Sequence, residues 1–329
     1  MNNIPSMTPR GTLCIAVFVY GTYTNYIPYY VYSILKCYPD YHVKIFIDKE
    51  LSLHEKKCLT LIKNELSDNF SICENFFPDY DFLNDMPIDG GGKMILRWIF
   101  PETVFDEYDY IYIGDVDFLI IREDPGLLES HLNHCERIQL PFSNKIRLLP
   151  GSNDYSNRLT GLHFIIKKPY YEKIGPIISS YLKNRNKLIQ SLSGLKYDDQ
   201  FLYNLLKQDF NLNIFRSHAA FRPHHGIHLG FGRGRKSPSV ILKGLNYAQK
   251  YESLKLDDAR DCLRFYLQDD LFQKMLQILP EESIFNICDA LDVKMPNSQL
   301  KMRSSLNKVY RILWSPWLTM ALLKEYFMK

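Results

Sequence analysis

The residues most able to do chemistry are two aspartates, Asp115 and Asp117, two positions apart in the segment YDYIYIGDVDFLI at 108–120. The rest of this segment is aromatic and β-branched, which predicts a buried strand. Two unpaired carboxylates at the edge of an apolar core repel each other and are costly to bury. A divalent cation such as Mg²⁺ or Mn²⁺ removes both costs and keeps coordination positions open for phosphate. The pair therefore predicts a metal–diphosphate site, and the alternative is a strand end with two solvated acids.

The elements around this pair predict how it is positioned. Apolar runs typical of strands alternate with segments of helical spacing, at 12–21, 27–38, 42–48 and 51–66. This alternation indicates an α/β fold in which helices cover a mostly parallel sheet. Ligands of such sheets bind at the carboxyl ends of the strands. Because Gly21, Asp48 and the aspartate pair all fall at predicted strand ends, we expect them to share one crevice.

Two further segments carry positive charge beside glycines. In DGGGKMILRWIF at 89–100, Lys93 and Arg97 lie one turn apart on the same face of a predicted helix. The loop at 221–236 contains GFGRGR, a composition that suits a cationic lid closing over an anion. Such a lid would exclude water and stabilise charge on a diphosphate leaving group. The alternatives are a solvated helix face for Lys93 and a solvated or nucleic-acid-like basic loop for 221–236.

The segment FDEYDYIYIGDVDFLI resembles the Asp-x-Asp motif of GT-A glycosyltransferases, in particular family 8, the group of glycogenin and the lipopolysaccharide galactosyltransferases. The resemblance extends over ordered motifs from about residue 12 to residue 236. It implies a GT-A fold, which is Rossmann-like, with a mixed, mostly parallel sheet flanked by helices. It also implies a nucleotide-sugar donor and a bound Mn²⁺ or Mg²⁺.

The resemblance also implies roles for particular residues. Asp115 and Asp117 would bind the metal together with His225 or His228 of HHGIHLG, and His228 is preferred because it directly precedes Leu-Gly. The residues expected to act in catalysis are Arg97, Asp199 and Gln200. The residues expected to bind the donor are Tyr20, Gly21, Thr22, Asn25, Tyr26, Lys93, Arg97, Gly161, Gly230 and Arg233. In the basic loop, Arg233, Arg235 or Lys236 would meet the diphosphate.

These features predict a hexosyltransferase that moves a sugar from a nucleotide sugar, expected to be a UDP sugar, to a glycan or lipid-linked acceptor. The family resemblance implies retention of the anomeric configuration and a role in cell-surface polysaccharide synthesis. Two alternatives stay open. A sugar-nucleotide nucleotidyltransferase would need basic residues directly after the first strand, and VYGTYTNY at 19–26 contains neither Lys nor Arg. A non-catalytic carbohydrate-binding protein on the same fold would have no physical need for a complete Asp-x-Asp and His set.

The bulk composition restricts the remaining functions. A formal net charge of +3 over 329 residues does not indicate a nucleic-acid partner. The seven cysteines are dispersed without a Cys-x-x-Cys pair, which predicts reduced thiols in a reducing compartment. No apolar stretch reaches the length of about 18 residues needed to span a membrane. We therefore expect a cytoplasmic protein, with a catalytic domain at 1–245 and a helical C-terminal region at 246–329.

The last segment of the sequence, 301–329, is basic and amphipathic. It carries six Lys or Arg against one Glu, and Trp314 and Trp317 flank Pro316. Basic and apolar residues at helical spacing with interfacial tryptophans are typical of helices that lie in a lipid interface. We expect this tail to bind an anionic membrane surface, so that the protein would be peripheral on the inner face of the membrane. The alternative is that its apolar face packs on the catalytic domain.

Overall fold

The computed structural model describes residues 12–89, 91–149, 154–212, 225–234, 236–252 and 255–296, without the side chains of 247–252. The expected membrane tail at 301–329 and Arg235 lie outside these residues. The described strands are β1 Leu13–Val19, β2 His42–Ile47, β3 Phe70–Cys73, β4 Tyr110–Ile113, β5 Phe118–Ile120, β6 Phe142–Ser143, β7 Ile146–Leu148, β8 Tyr155–Leu159, β9 His163–Ile166 and β10 Gly226–His228. The described helices are α1 Ile27–Cys37, α2 Leu53–Glu65, α3 Leu127–Ile138, α4 Lys167–Lys183, α5 Arg185–Leu192, α6 Asp198–Leu206, α7 Pro238–Glu252, α8 Leu256–Gln268, α9 Asp270–Ile278 and α10 Glu282–Ala290.

A six-stranded sheet in the order β3-β2-β1-β4-β9-β6 forms the centre of the molecule. Strands β3, β2, β1 and β4 are parallel, β9 runs antiparallel to β4, and β6 runs antiparallel to β9. Two short antiparallel pairs, β5 with β10 and β7 with β8, lie outside this sheet. The predicted α/β class, with a mostly parallel sheet flanked by helices, is confirmed.

The sequence of β1 explains why helices cover both faces of the sheet. All seven of its residues are buried. Leu13, Ile15, Val17 and Val19 belong to one hydrophobic core, whereas Cys14, Ala16 and Phe18 belong to a second. Successive side chains of a strand point to opposite faces, so a continuous apolar run can only be buried between two layers. The first core contains α1, α2 and the helices near the C-terminal end, and the second contains α4, α5 and α6.

The segment 108–120, predicted as one strand, is two strands in two different sheets. β4 ends at Ile113, the chain turns through 114–117, and β5 then pairs with β10 instead of continuing in the central sheet. Gly114 lies at the bend, where a Cβ atom would be 2.3 Å from the hydroxyl oxygen of Tyr30. This bend places both aspartates in a turn at the carboxyl end of β4. A ligand site was predicted at this position from the sequence.

The helices near the C-terminal end pack against the central sheet through α1. The ring of Tyr32 lies 5.5 Å from that of Tyr266 in α8, and Tyr29 lies 5.6 Å from Phe272 in α9. In the region 246–329, predicted to be helical, α8 and α9 are separated at Asp269, whose carboxylate accepts hydrogen bonds from the amides of Leu271 and Phe272 in α9. The expected boundary at residue 245 falls inside α7 and remains a prediction. Among the described helices, none is long and apolar enough to cross a lipid bilayer.

Candidate functional site

The carboxyl ends of β1 and β4 border an open cavity of about 200 Å³. Its walls come from the end of β1 and the turn after it, from the 3₁₀ segment Gly92–Trp98, from the turn after β4, and from the segment that follows β10. The lining residues are Phe18, Val19, Tyr20, Tyr23, Met94, Arg97, Gly114, Asp115, Val116, Asp117, His228 and Arg233. The fold therefore brings the two aspartates, one predicted histidine and two predicted arginines to one place.

Asp117 is the most deeply buried acid of this cavity, with 4% of its surface exposed. Its Oδ2 lies 3.1 Å from Nε2 of His228 and accepts a hydrogen bond of 2.7 Å from Nη2 of Arg233. Burial alone would raise the pKa of Asp117, but His228 and Arg233 outweigh it and hold that pKa below its usual value. Burial lowers the pKa of His228, but Asp117 raises it by more, so the pKa of His228 lies above its usual value. Pairing of β10 with β5 creates this contact, because His228 lies opposite Phe118 in the register.

Asp115 is held by Arg97, which is itself buried. The guanidinium of Arg97 donates from Nη1 to Asp115 and from Nη2 to Asp198, the latter at 2.7 Å. Nε1 of Trp98 also donates to Asp198, at 3.1 Å. Burial would lower the pKa of Arg97, yet Asp198 and Asp115 together raise it. Arg97 therefore stays charged and ties the turn after β4 to the first residue of α6.

Polar side-chain atoms approach two of the predicted glycines closely. A Cβ atom at Gly161 would lie 2.8 Å from Oδ2 of Asp115. A Cβ atom at Gly230 would lie 2.6 Å from Nη2 of Arg233, 2.9 Å from Nε2 of His228 and 3.0 Å from Oδ2 of Asp117. Both glycines therefore keep space open around the carboxylates.

The residues fit a hard divalent cation in their chemistry. Asp115, Asp117 and His228 line the same cavity, and carboxylate oxygens with one imidazole nitrogen are suitable donors for Mn²⁺ or Mg²⁺. Gly230 leaves room beside two of these donors. In the described part of the chain, no three acidic, histidine or cysteine side chains already converge as a set of metal ligands. Arginines occupy both carboxylates instead, so a metal would have to replace part of this pairing.

His225, the second predicted histidine ligand, belongs to a different group of side chains. Its Nδ1 lies 2.5 Å from Oε2 of Glu123, and its Nε2 lies 3.2 Å from Nε2 of His131. His131 continues this network to Ser143 at 2.8 Å. Since both ring nitrogens of His225 are engaged there, the geometry favours His228 as the candidate ligand.

The predicted donor residues after β1 form a turn of 3₁₀ helix at Gly21–Tyr26. The rings of Tyr20 and Tyr23 are stacked with centroids 6.3 Å apart, and both line the cavity. Gly21 has a φ of 64°, which glycine adopts without strain. Thr22 and Asn25 are exposed on this turn, whereas Tyr26 is buried. The two stacked tyrosines thus provide an aromatic wall for a base or sugar ring.

Lys93 stabilises the same edge of the sheet from one side. Its ammonium group donates to Asp48 at 2.9 Å and to Asp81 at 2.6 Å. Burial lowers the pKa of Lys93, but the two carboxylates raise it by more, so the pKa of Lys93 lies above its usual value. Lys93 therefore holds the end of β2, and neither Lys93, predicted to bind the donor, nor Asp48, predicted to share the crevice, is among the residues that line the cavity.

The predicted catalytic residues Asp199 and Gln200 do not lie in the cavity with Arg97. Asp199 is buried and forms ion pairs with Arg158 at 2.7 Å and with Arg147 at 2.9 Å. The side-chain carbonyl of Gln200 accepts hydrogen bonds from the amides that precede α6. Neither residue is among those that line the cavity. Asp198, which is not among the predicted site residues, is instead the partner of Arg97, and its position directly before Asp199 and Gln200 was the available signal.

The chain is similar to known proteins in structure rather than in sequence. No protein-family model matches the chain, and no curated protein is similar to it in sequence. Among solved structures it is similar to the galactosyltransferase LgtC in complex with donor and acceptor sugar analogues, at 13% identity and a TM-score of 0.38, covering 58% of this chain and 69% of that one. It is also similar to the glycosyltransferase GlyE of Streptococcus pneumoniae TIGR4, at 12% identity and a TM-score of 0.46, covering 87% of this chain and just 65% of that one. A third similar structure is TarS residues 1–349 from S. aureus, at 10% identity and a TM-score of 0.32, covering 89% and 92%.

Proposed function

We propose that the protein is a metal-dependent glycosyltransferase that moves a hexose from a UDP sugar to a glycan or lipid-linked acceptor. The observation that carries this proposal is the convergence of Asp115, Asp117 and His228 with two arginines on one cavity beside a pair of stacked tyrosines. Carboxylates alone would repel a diphosphate. Carboxylates that can hold a cation, with arginines beside them, form a site for one.

In this proposal, Asp115, Asp117 and His228 hold Mn²⁺ or Mg²⁺. The bound metal would stabilise the negative charge that develops on the nucleoside diphosphate as it leaves. Arg97 fixes the orientation of Asp115, because a buried guanidinium bonded to two carboxylates has few alternative positions. Arg233 is the cavity cation best placed to turn from Asp117 to the diphosphate, since 36% of its side chain is exposed. Tyr20 and Tyr23 offer a face on which the uracil ring can stack.

The acids of the cavity favour retention of the anomeric configuration. An inverting enzyme needs a carboxylate or similar base free to take a proton from the acceptor. Among the described residues that line the cavity, the acids are Asp115 and Asp117, and both are committed to arginine and to the proposed metal. This arrangement supports a retaining transfer, in agreement with the family resemblance. The acceptor would approach from the open side of the cavity, and the tail at 301–329 would bring the enzyme to a membrane that carries such acceptors.

The proposal is tested by ligand binding and turnover on the full chain. We expect UDP to raise the melting temperature more with Mn²⁺ than without it, and a panel of UDP sugars to show metal-dependent release of UDP. Asp117→Asn, which keeps the shape but removes the charge, should lower this release at least about 100-fold. Asp261→Asn is the matched control, because its carboxylate is 74% exposed and far along the chain in α8.

Three outcomes separate the alternatives. Turnover in excess EDTA, or full activity of Asp117→Asn, would contradict the proposal. Binding of sugar without any turnover across the panel would favour the non-catalytic carbohydrate-binding protein. Release of pyrophosphate from a nucleoside triphosphate and a sugar phosphate would favour the nucleotidyltransferase.

A further inference from the structure

Arg233 lies on a glycine-rich segment of the candidate site. It is flanked by Gly232 and Gly234, and Gly234 has a φ of +72°. Glycine backbone has more accessible conformations than that of other residues, so the sequence alone would leave Arg233 mobile. In the structure, however, its guanidinium is held at three points: it donates to Tyr23 Oη, donates to Asp117 at 2.7 Å, and lies 4.6 Å from the centre of the Tyr23 ring.

A residue outside the cavity holds the backbone on both sides of Arg233. The side-chain amide of Asn286, in α10, donates to the carbonyl oxygen of Gly232 at 2.9 Å and to that of Gly234 at 3.4 Å. A carboxamide has two N–H donors, so one group can satisfy both carbonyls. The single residue between those two carbonyls is Arg233.

Close packing of the loop on α10 supports the same arrangement. A Cβ atom at Gly232 would lie 2.3 Å from the carbonyl oxygen of Ser283 and 2.9 Å from the side chain of Ile287, so only glycine allows this approach. Helix α10 is itself fixed, since Ile284, Phe285 and Ile287 are buried. The helix is therefore a rigid support, and Asn286 is its polar contact with the loop.

We propose that Asn286 is a positioning residue that acts through Arg233 on the diphosphate of the donor. This inference rests on the proposed function, and it assigns part of the donor site to a helix beyond residue 245. Asn286 itself does not touch the cavity; it restricts the loop so that the Arg233 guanidinium stays between Tyr23 and Asp117. Without that restriction, Arg233 must be ordered each time a diphosphate binds, which weakens binding.

The test uses the full chain with Asn286→Ala and Asn286→Asp, which cannot donate, and with Asn64→Ala as the control, an exposed amide on α2. We expect both Asn286 variants to weaken UDP–Mn²⁺ binding in calorimetry, and to lower kcat/KM for UDP-sugar hydrolysis, by roughly tenfold, the scale of one or two lost hydrogen bonds. In an Arg233→Ala background, adding Asn286→Ala should change binding by less than about twofold, because the effect passes through Arg233. A persistent tenfold loss in that background would overturn the inference.

Limited trypsin digestion provides a readout that needs no donor. Cleavage after Arg233, followed by mass spectrometry, should become several-fold faster in Asn286→Ala than in the wild type or in Asn64→Ala, while cleavage outside the segment 230–236 is unchanged. Equal cleavage rates at Arg233 in all three proteins would overturn the positioning role. If cleavage increases but the wild type neither binds UDP nor hydrolyses UDP sugars, the loop contact stands and the proposed function fails.

Discussion

At the scale of single residues, the site is defined by charges that are paired rather than free. Arg97 bonds both Asp115 and Asp198, and it is almost fully buried. A planar guanidinium can bond two carboxylates at once, whereas the ammonium group of lysine is a point charge with different reach. The identity of this residue, and not only its charge, should therefore matter for the position of Asp115.

We expect Arg97→Lys to lower kcat/KM for the donor by about 100-fold while the protein remains folded. Arg97→Ala should in addition reduce the free energy of unfolding by about 3–5 kcal/mol, because it leaves Asp198 buried without its cation. Steady-state kinetics and urea unfolding measure the two effects. Arg264→Lys, in an exposed ion pair on α8, is the control. Equal kcat/KM values for Arg97→Lys and the wild type would show that the guanidinium of Arg97 is not needed for turnover of the donor.

A buried histidine away from the cavity gives a pH prediction. His163 is fully buried, and burial lowers its pKa to about 3. Its Nδ1 faces the side-chain nitrogen of Asn144 at 3.1 Å, and the oxygen of that amide accepts from Thr160, so the neutral imidazole is the acceptor. Between pH 6.5 and pH 3 the unfolded chain binds a proton here and the folded chain does not. The free energy of unfolding should therefore fall as the pH falls through this window.

The contribution of His163 should be about 1.4 kcal/mol per pH unit within that window. His163→Leu should make the pH dependence of the free energy of unfolding shallower by this amount. Urea unfolding between pH 3.5 and pH 7 measures the slopes. His54→Leu, at an exposed position on α2, is the control. Parallel slopes for His163→Leu and the wild type would contradict the prediction.

The sequence predicts residue types better than it predicts which neighbour faces the site. The Asp-x-Asp pair, Arg97 and His228 were predicted from sequence and family resemblance, and the fold brings them together. The pair Asp198 and Asp199 shows the limit. Consecutive residues of a helix point about 100° apart. Which one meets Arg97 is decided by how α6 packs, and this is a property of the tertiary structure.

At the scale of elements, the short ladder between β5 and β10 forms the contact between Asp117 and His228. Gly226 starts β10, and a Cβ atom there would lie 2.3 Å from the backbone carbonyl oxygen of Leu119. Even one methyl group must therefore push the two strands apart. Periodicity predicted an apolar strand at 108–120, but it could not show that the strand changes sheets, since both halves are buried and apolar.

We expect Gly226→Ala to shift His228 away from Asp117 and to weaken binding of Mn²⁺ by roughly tenfold, with a matching loss of turnover. Electron paramagnetic resonance of free Mn²⁺ measures the first effect without a donor. Gly175→Ala is the control, because a Cβ atom at this helical position of α4 meets only ordinary contacts at 3.8 Å. Unchanged Mn²⁺ binding in Gly226→Ala would show that the ladder does not position the ligand.

At the scale of the whole molecule, the expected membrane attachment concerns the tail at 301–329. Six basic residues against one acid leave an excess of five charges. Each basic residue near an anionic surface contributes about 1 kcal/mol. We expect the full chain to float with vesicles that contain anionic lipid, and a chain ending at residue 300 to remain with the unbound protein. Vesicles of neutral lipid and high salt are the controls. Equal flotation of the two chains would contradict attachment through this tail.

The contact between α1 and the late helices has a consequence for how the protein is made. Tyr29 donates to the carbonyl oxygen of Leu279, 250 residues further along the chain, and Lys36 forms an ion pair with Asp269 at 2.6 Å. At translation rates of about 5–20 residues per second, the apolar face of α1 leaves the ribosome roughly 10 to 50 s before its partners exist. During that interval the nascent chain presents aromatic residues of α1 that α8 and α9 later cover, so we expect its yield in cells to depend on chaperones that bind exposed apolar segments.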